Sequence, residues 1–142
     1  MVPVPTLAAL AQSAWTHGGH TRVVACLDAR MREVYVAVHE RRGETWHDVA
    51  PPAVLAPAMV APPVGTGWFG AGNGFHAYPA LAPQLGLSAV DEAARPTAQA
   101  VGELALPRLV AGEGVAAGDA LPIYVRHRVA LTTAERAAGG RL

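Results

Sequence analysis

Apolar positions are densest between Arg22 and His39. Val23 to Leu27 form an unbroken apolar run, the pattern of a strand covered on both faces, whereas Val34, Val36 and Val38 alternate with Tyr35, Ala37 and His39. The polar join from Asp28 to Arg32 is too short for the crossover helix that a parallel partner would need. The two strands are therefore predicted to pair antiparallel, as the hairpin at the centre of a sheet. Upstream, Leu7, Leu10, Ala11, Ala14 and Trp15 recur at helical spacing, with Thr6 as the expected N-cap and Gly18-Gly19 as the stop. Downstream, Thr45 to Val49 predicts a third strand ended by Pro51-Pro52, and Ala53 to Pro63 a short helix broken at Pro57. Gly67 to Ala71 reads as a fourth strand, Gly72-Asn73-Gly74 as a tight turn into a short helix around Phe75 to Leu81, and Leu87 to Val90 as a brief fifth strand. Thr97 is expected to cap a helix with Val101, Leu104, Ala105 and Leu109 on its apolar face, kinked at Pro107 and ending near Gly112. Leu121 to Arg126 reads as an extended segment that docks; residues 131–142 are expected to be a disordered tail.

This order, three antiparallel strands followed by alternating helices and strands, predicts an α/β fold with a mixed sheet covered by helices, formed as one domain over residues 1–130. Composition narrows the function. The chain has 11 basic and 11 acidic residues, so its charge gives no reason to expect direct nucleic-acid binding. Cys26 is the single cysteine, which rules out an internal disulfide or a thiolate metal cluster and fits a reducing compartment. No apolar run approaches the roughly 20 residues of a membrane-spanning helix. The expectation is a cytoplasmic protein.

Three motifs in order resemble one family. They are Arg22-Val-Val-Ala-Cys-Leu-Asp28-Ala-Arg30-Met with Glu33-Val-Tyr35, the glycine turn followed by Tyr78-Pro79, and Pro122-x-Tyr124-x-Arg126 with Val129-Ala130. Together with the opening Pro5-Thr6-Leu7-Ala8-Ala9-Leu10-Ala11, they are similar to the second half of the TsaB family. The resemblance implies half of an actin-like ATPase (ribonuclease H-like) fold. It implies a non-catalytic subunit that supports a TsaD-type enzyme, with a TsaE-type ATPase, in making N6-threonylcarbamoyladenosine in tRNA. Where the family usually has Gly after Asp-Ala-Arg-Met, this chain has Arg32, so a turn needing positive φ there would be strained. The family's first half, with its Asp-Thr signature and its main surface for TsaD, has no counterpart here. Weak pairing with TsaD is therefore expected, along with self-association through an uncovered face that includes Leu7, Leu10, Trp15, Ile123 and Tyr124.

The candidate chemistry is sparse. Gly70-x-Gly72-x-Gly74 after a strand would let backbone N–H groups approach a phosphate, as in nucleotide-binding members of the superfold, and ATP is the ligand it would suit. The competing reading is a tight structural turn. This is not Gly-x-Gly-x-x-Gly, and no Gly-Lys-Ser/Thr occurs. Asp28 and Arg30 end a strand, where active-site groups that could bind a metal or water are often found, although a turn hydrogen bond or ion pair within the hairpin is the favoured reading. Glu33, Tyr35, Tyr124 and Arg126 belong to the resembling motifs without an assigned role. The six histidines lack a His-x3-His pair, so no metal ligand set is expected. Neither serine sits in a nucleophile elbow, and Cys26 reads as a small buried hydrophobe. No catalytic residue is assigned. The reading that competes with a scaffold subunit is a nucleotide-binding enzyme, an ATPase or peptidase-like member of the superfold, using the glycine turn.

Overall fold

The computed structural model describes residues 1–126. The expected tail over 131–142, with Val129 and Ala130, lies outside them. Five strands form one mixed sheet in the order β3-β2-β1-β4-β5, with β1 (Arg22–Asp28), β2 (Val34–Arg42), β3 (Thr45–Leu55), β4 (Phe69–Ala71) and β5 (Ala89–Asp91). β1 is central. It pairs antiparallel with β2, Cys26 opposite Val36, and parallel with β4, Ala25 opposite Ala71. Its apolar run follows from this position, since both faces are covered.

Helix α1 (Thr6–Gly18) lies on one face of the sheet; α2 (Gly74–Ala77) and α3 (Leu81–Gln84) cover the other. Alternation along the strands sends Val24, Cys26, Val34 and Val36 to the α2–α3 side with Trp68, Phe75 and Leu81, and Val23, Ala25 and Ala37 to the α1 side with Leu7 and Leu10. Leu27 and Tyr35 are half-buried on that second face. Helix α4 (Ala98–Val110) packs on α1.

Several expectations change. The N-cap of α1 is Pro5 and not Thr6, and its stop is Gly19 at φ 69°. Pro51-Pro52 do not end β3, which continues to Leu55. Val36 pairs with Ala53 and Val38 with Ala50, so the two prolines face Ala37 alone, in a bulge on an edge strand where their missing N–H groups cost no ladder bond. The helix expected from Ala53 to Pro63 is only a 3-10 turn, Pro57–Met59. The fourth strand begins at Phe69, the fifth runs from Ala89 to Asp91, and Gly72-Asn73-Gly74 leads into two short helices instead of one.

Thr97 does cap α4, its hydroxyl accepting the Ala100 N–H at 3.1 Å. The helix runs on through Pro107, but the face expected to be apolar and buried is not: Val101 and Leu109 are exposed, and Ala100 is the buried residue of the helix. Polar contacts attach it instead. The Glu103 carboxylate accepts from Gln12 at 2.6 Å, Thr16 at 2.9 Å and Gln99 at 2.8 Å, and these bonds, led by Gln12, hold its pKa below the usual carboxylate range. Leu7 and Leu10 are not uncovered either, because α1 presses them onto the sheet. Trp15 lies under the Arg41 guanidinium, 4.6 Å from its ring centroid.

His39, 2% exposed, donates its Nδ1–H to the Asp48 carboxylate at 2.8 Å, while Nε2 is buried without a partner among the described residues. Burial pushes its pKa down against the opposing pull of Asp48. The folded chain thus resists a proton that the unfolded chain accepts near the ordinary value of 6.5. Unfolded protein binds more protons below that pH, so stability is full above it and falls as pH drops through it. Urea midpoints of the wild type should decline between about pH 7 and 5, and His39→Gln should flatten that decline. An equally steep decline in the variant would remove His39 as its cause.

Candidate functional site at the hairpin end

The motif residues converge at the end of β1. Asp28 Oδ1 accepts the Arg30 N–H at 2.9 Å, and its other oxygen stands 4.0 Å from the Arg30 guanidinium. The Asp28 N–H donates to Asn73 Oδ1 at 3.1 Å, tying the hairpin to the glycine turn. Arg126 arrives from the C-terminal segment, pairs with Glu33, reaches Met31 Sδ at 3.2 Å and lies 5.7 Å from the Tyr35 ring centroid. Its side chain is only 12% exposed. Tyr124 and Ile123 stand at the rim, 79% and 57% exposed. Leu7, Leu27, Asp28, Tyr35, Ile123 and Arg126 thus line a cavity of about 360 Å³.

The turn itself is strained. Arg30, Met31 and Arg32 occupy φ of 62°, 53° and 61°, three successive L-residues in the left-handed region, closed by Glu33 N–H to the Arg30 carbonyl at 2.9 Å. Each such residue costs roughly 1–2 kcal/mol. Arg32→Gly should therefore raise unfolding stability by about 1 kcal/mol, since glycine takes positive φ freely. Urea denaturation checks this; an unchanged or lowered midpoint would place Arg32 in a conformation other than this one.

The glycines stand behind this site. A side chain at Gly70 would meet Leu87 Cδ1 at 2.8 Å and Phe75 Cε2 at 2.9 Å; at Gly72 it would meet the Cys26 carbonyl oxygen and, at 2.9 Å, Leu10 Cδ2; at Gly74 it would meet Cys26 Sγ. The volume each leaves is filled from within the chain. The Gly72 N–H donates to the Asp91 carbonyl at 3.0 Å. The glycine turn is thus built for close approach to β1. The link through Asn73 was not assigned from sequence, although an Asn between two glycines is the residue type that bonds neighbouring backbone.

No activated nucleophile stands among the described residues of the site. Burial, then the Asp28 charge, pushes the Cys26 thiol up to about 12, so it stays protonated at neutral pH. Asp28 is occupied by the turn and Glu33 by Arg126. No group of three or more His, Cys, Asp or Glu able to hold a metal occurs among the described residues, and no described helix is long and apolar enough to cross a membrane.

Comparison with known proteins agrees with this layout. A family model described as TsaD, tRNA N6-adenosine threonylcarbamoyltransferase, matches residues 1–132. The tRNA threonylcarbamoyladenosine biosynthesis protein TsaB of Escherichia coli is 38% identical over 135 residues, covering 92% of this chain and 58% of that protein. Among solved structures, YeaZ from Pseudomonas aeruginosa superposes with a TM-score of 0.79 at 40% identity, over 87% of this chain and 57% of that one. A second, titled an uncharacterized protein with similarity to peptidase YEAZ from Pseudomonas aeruginosa, superposes at 0.78 with the same identity and coverage. The chain spans about 58% of the length of the curated relative it matches.

Proposed function

The chain belongs to the TsaB family, and from that premise we propose that it acts as the C-terminal half of a non-catalytic subunit supporting a TsaD-type enzyme in N6-threonylcarbamoyladenosine modification of tRNA. The carrying observation is the shared fold at 40% identity over 87% of the chain, far above the level at which only architecture is shared. The inert Cys26 and the pairing of Asp28 with the turn and of Glu33 with Arg126 support a scaffold rather than an enzyme. Arg126 gives the scaffold its form, drawing the C-terminal segment onto the hairpin. The proposal places the protein in the cytoplasm, with a TsaE-type ATPase as a further component and without direct nucleic-acid contact. Self-association belongs to it too, through the exposed Ile123 and Tyr124 in place of the buried Leu7 and Leu10.

Complementation tests the proposal. In E. coli cells depleted of their own TsaB, these residues alone should leave tRNA unmodified, and co-expression with the segment of the E. coli relative outside the match should restore the modified nucleoside measured by mass spectrometry. Soluble expression of both pieces without restoration would sink the proposal. Millimolar ATP should leave the melting temperature unchanged, whereas a ligand at a hundredfold excess over Kd adds about 2.7 kcal/mol. A clear upward shift would favour a nucleotide-binding enzyme using Gly70, Gly72 and Gly74.

A further inference from the structure

Near the start of β1, away from the hairpin, a second cavity of about 360 Å³ opens between the end of α1 and the segment joining β5 to α4. We propose that it binds a small oxyanion of the phosphate class, tightly only when its histidines are protonated. The inference stands apart from the family reading. Three basic side chains line it, His17, His20 and Arg95, against the single carboxylate of Asp91.

Each group is held in place. His17 uses Nδ1 on the Ser13 carbonyl at 2.8 Å, which leaves Nε2 as a lone pair in the neutral ring and as an N–H donor in the charged one. The His20 ring lies flat on Phe69, with centroids 3.6 Å apart and planes 6° from parallel. Gly18 makes this possible, since a side chain there would come within 2.7 Å of His20 Cδ2. Arg95 donates through Nη1 to the carbonyls of Glu92 at 3.1 Å and Ala94 at 2.8 Å. A guanidinium fixed by main-chain carbonyls keeps further N–H donors and its full charge, and it forms no ion pair among the described residues.

Each nearby acid already has a hydrogen-bond partner. Asp91 Oδ1 accepts the Ala93 N–H at 2.9 Å, and Glu92 bonds His76 of α2 at 3.1 Å. With both lining histidines protonated, three positive charges face one negative; with both neutral, Arg95 and Asp91 cancel. Phosphate answers this arrangement, because its oxygens accept from several donors at once and charge-assisted bonds to Arg and His⁺ are the strong ones. Only the protonated imidazole carries a positive charge and a second N–H donor, so acid should tighten binding.

The test uses the whole chain and inorganic phosphate at constant ionic strength, followed by NMR of the imidazole and backbone signals. At about pH 6 the rings of His17 and His20 should shift saturably, and at about pH 8 the affinity should fall by roughly tenfold or more. Arg95→Gln, at an exposed position that should not disturb folding, should weaken binding at the lower pH by about tenfold. Gly18→Ala, which displaces the His20 ring, should weaken it as well. Sulfate should reproduce the shifts and chloride should not. Adenosine monophosphate binding more tightly than inorganic phosphate would assign the anion to a nucleotide; equal affinity would assign it to the free ion. Linear, unsaturable shifts, or a folded Arg95→Gln variant with unchanged affinity, would overturn the site.

Discussion

Aspartate in place of Val36 is expected to leave no folded protein. Val36 is 5% exposed, pairs with Cys26 on one side and Ala53 on the other, and its side chain enters the cluster of Val24, Val34, Trp68, Phe75 and Leu81. None of these carries a positive charge to meet a carboxylate. The group would have to desolvate without a partner or take up a proton, and even the neutral acid would leave polar atoms unsatisfied among methyl and ring carbons. Several kcal/mol of cost is a large share of the roughly 5–15 kcal/mol that holds a domain of this kind together. Far-ultraviolet circular dichroism and thermal melting read the result. A soluble variant with a cooperative melt would show that the side chain does not face this core. Val36→Ala is the matched control and should melt cooperatively at lower temperature, losing packing without introducing a charge.

The central hairpin was legible because its environment acts on every residue in turn. A strand between two neighbours and two helical layers leaves no position for a polar side chain, and Val23 to Leu27 carry that constraint directly. What failed to read were features settled by partners distant in sequence. Pro51-Pro52 ordinarily end a strand, yet on the outer edge of a sheet, opposite a single residue, the same dipeptide becomes a bulge. Val101, Leu104, Ala105 and Leu109 have helical spacing, but spacing says only which residues share a face and not what lies opposite; Glu103, bonded to Gln12 and Thr16 of α1, turned the helix another way.

The site divides along the same line. Asp28 and Arg30 were readable as a turn pair from their local spacing, and Asp28 does accept the Arg30 N–H. Strain at Arg32 was readable from a side chain standing where glycine is usual; its spread to Arg30 and Met31 was not, because φ at those positions depends on how the hairpin closes. Nothing local joins Arg126 to Glu33 across 93 residues, and the motifs that hold them gave neither residue a role. The basic cavity was equally hidden, since its histidines are paired in sequence only by a glycine turn and Arg95 comes from the far side of the sheet's last strand.

Gly72→Ala is expected to cost about 3 kcal/mol or more of stability. Two independent penalties meet at this residue. Its φ of 116° lies where L-residues are strained, and a Cβ would enter the Cys26 carbonyl oxygen while meeting Leu10 Cδ2 at 2.9 Å. Relief is blocked on every side. The Cys26 backbone belongs to β1, held by β2 and β4 at once, and Gly72 is fixed by its N–H to the Asp91 carbonyl at 3.0 Å. Shortening Leu10 would leave the carbonyl clash in place, so Leu10→Ala cannot rescue the variant and should add its own cavity cost. Gly43 separates the two penalties. It also has positive φ, 61°, but nothing lies within 4 Å of where its Cβ would stand, so Gly43→Ala should lose only about 1 kcal/mol, the conformational part. Urea unfolding of both variants under one set of conditions measures the difference. Equal losses at the two positions would mean that the glycine turn is not pressed against β1, and the attachment of that turn to the hairpin end through Asn73 would fall with it.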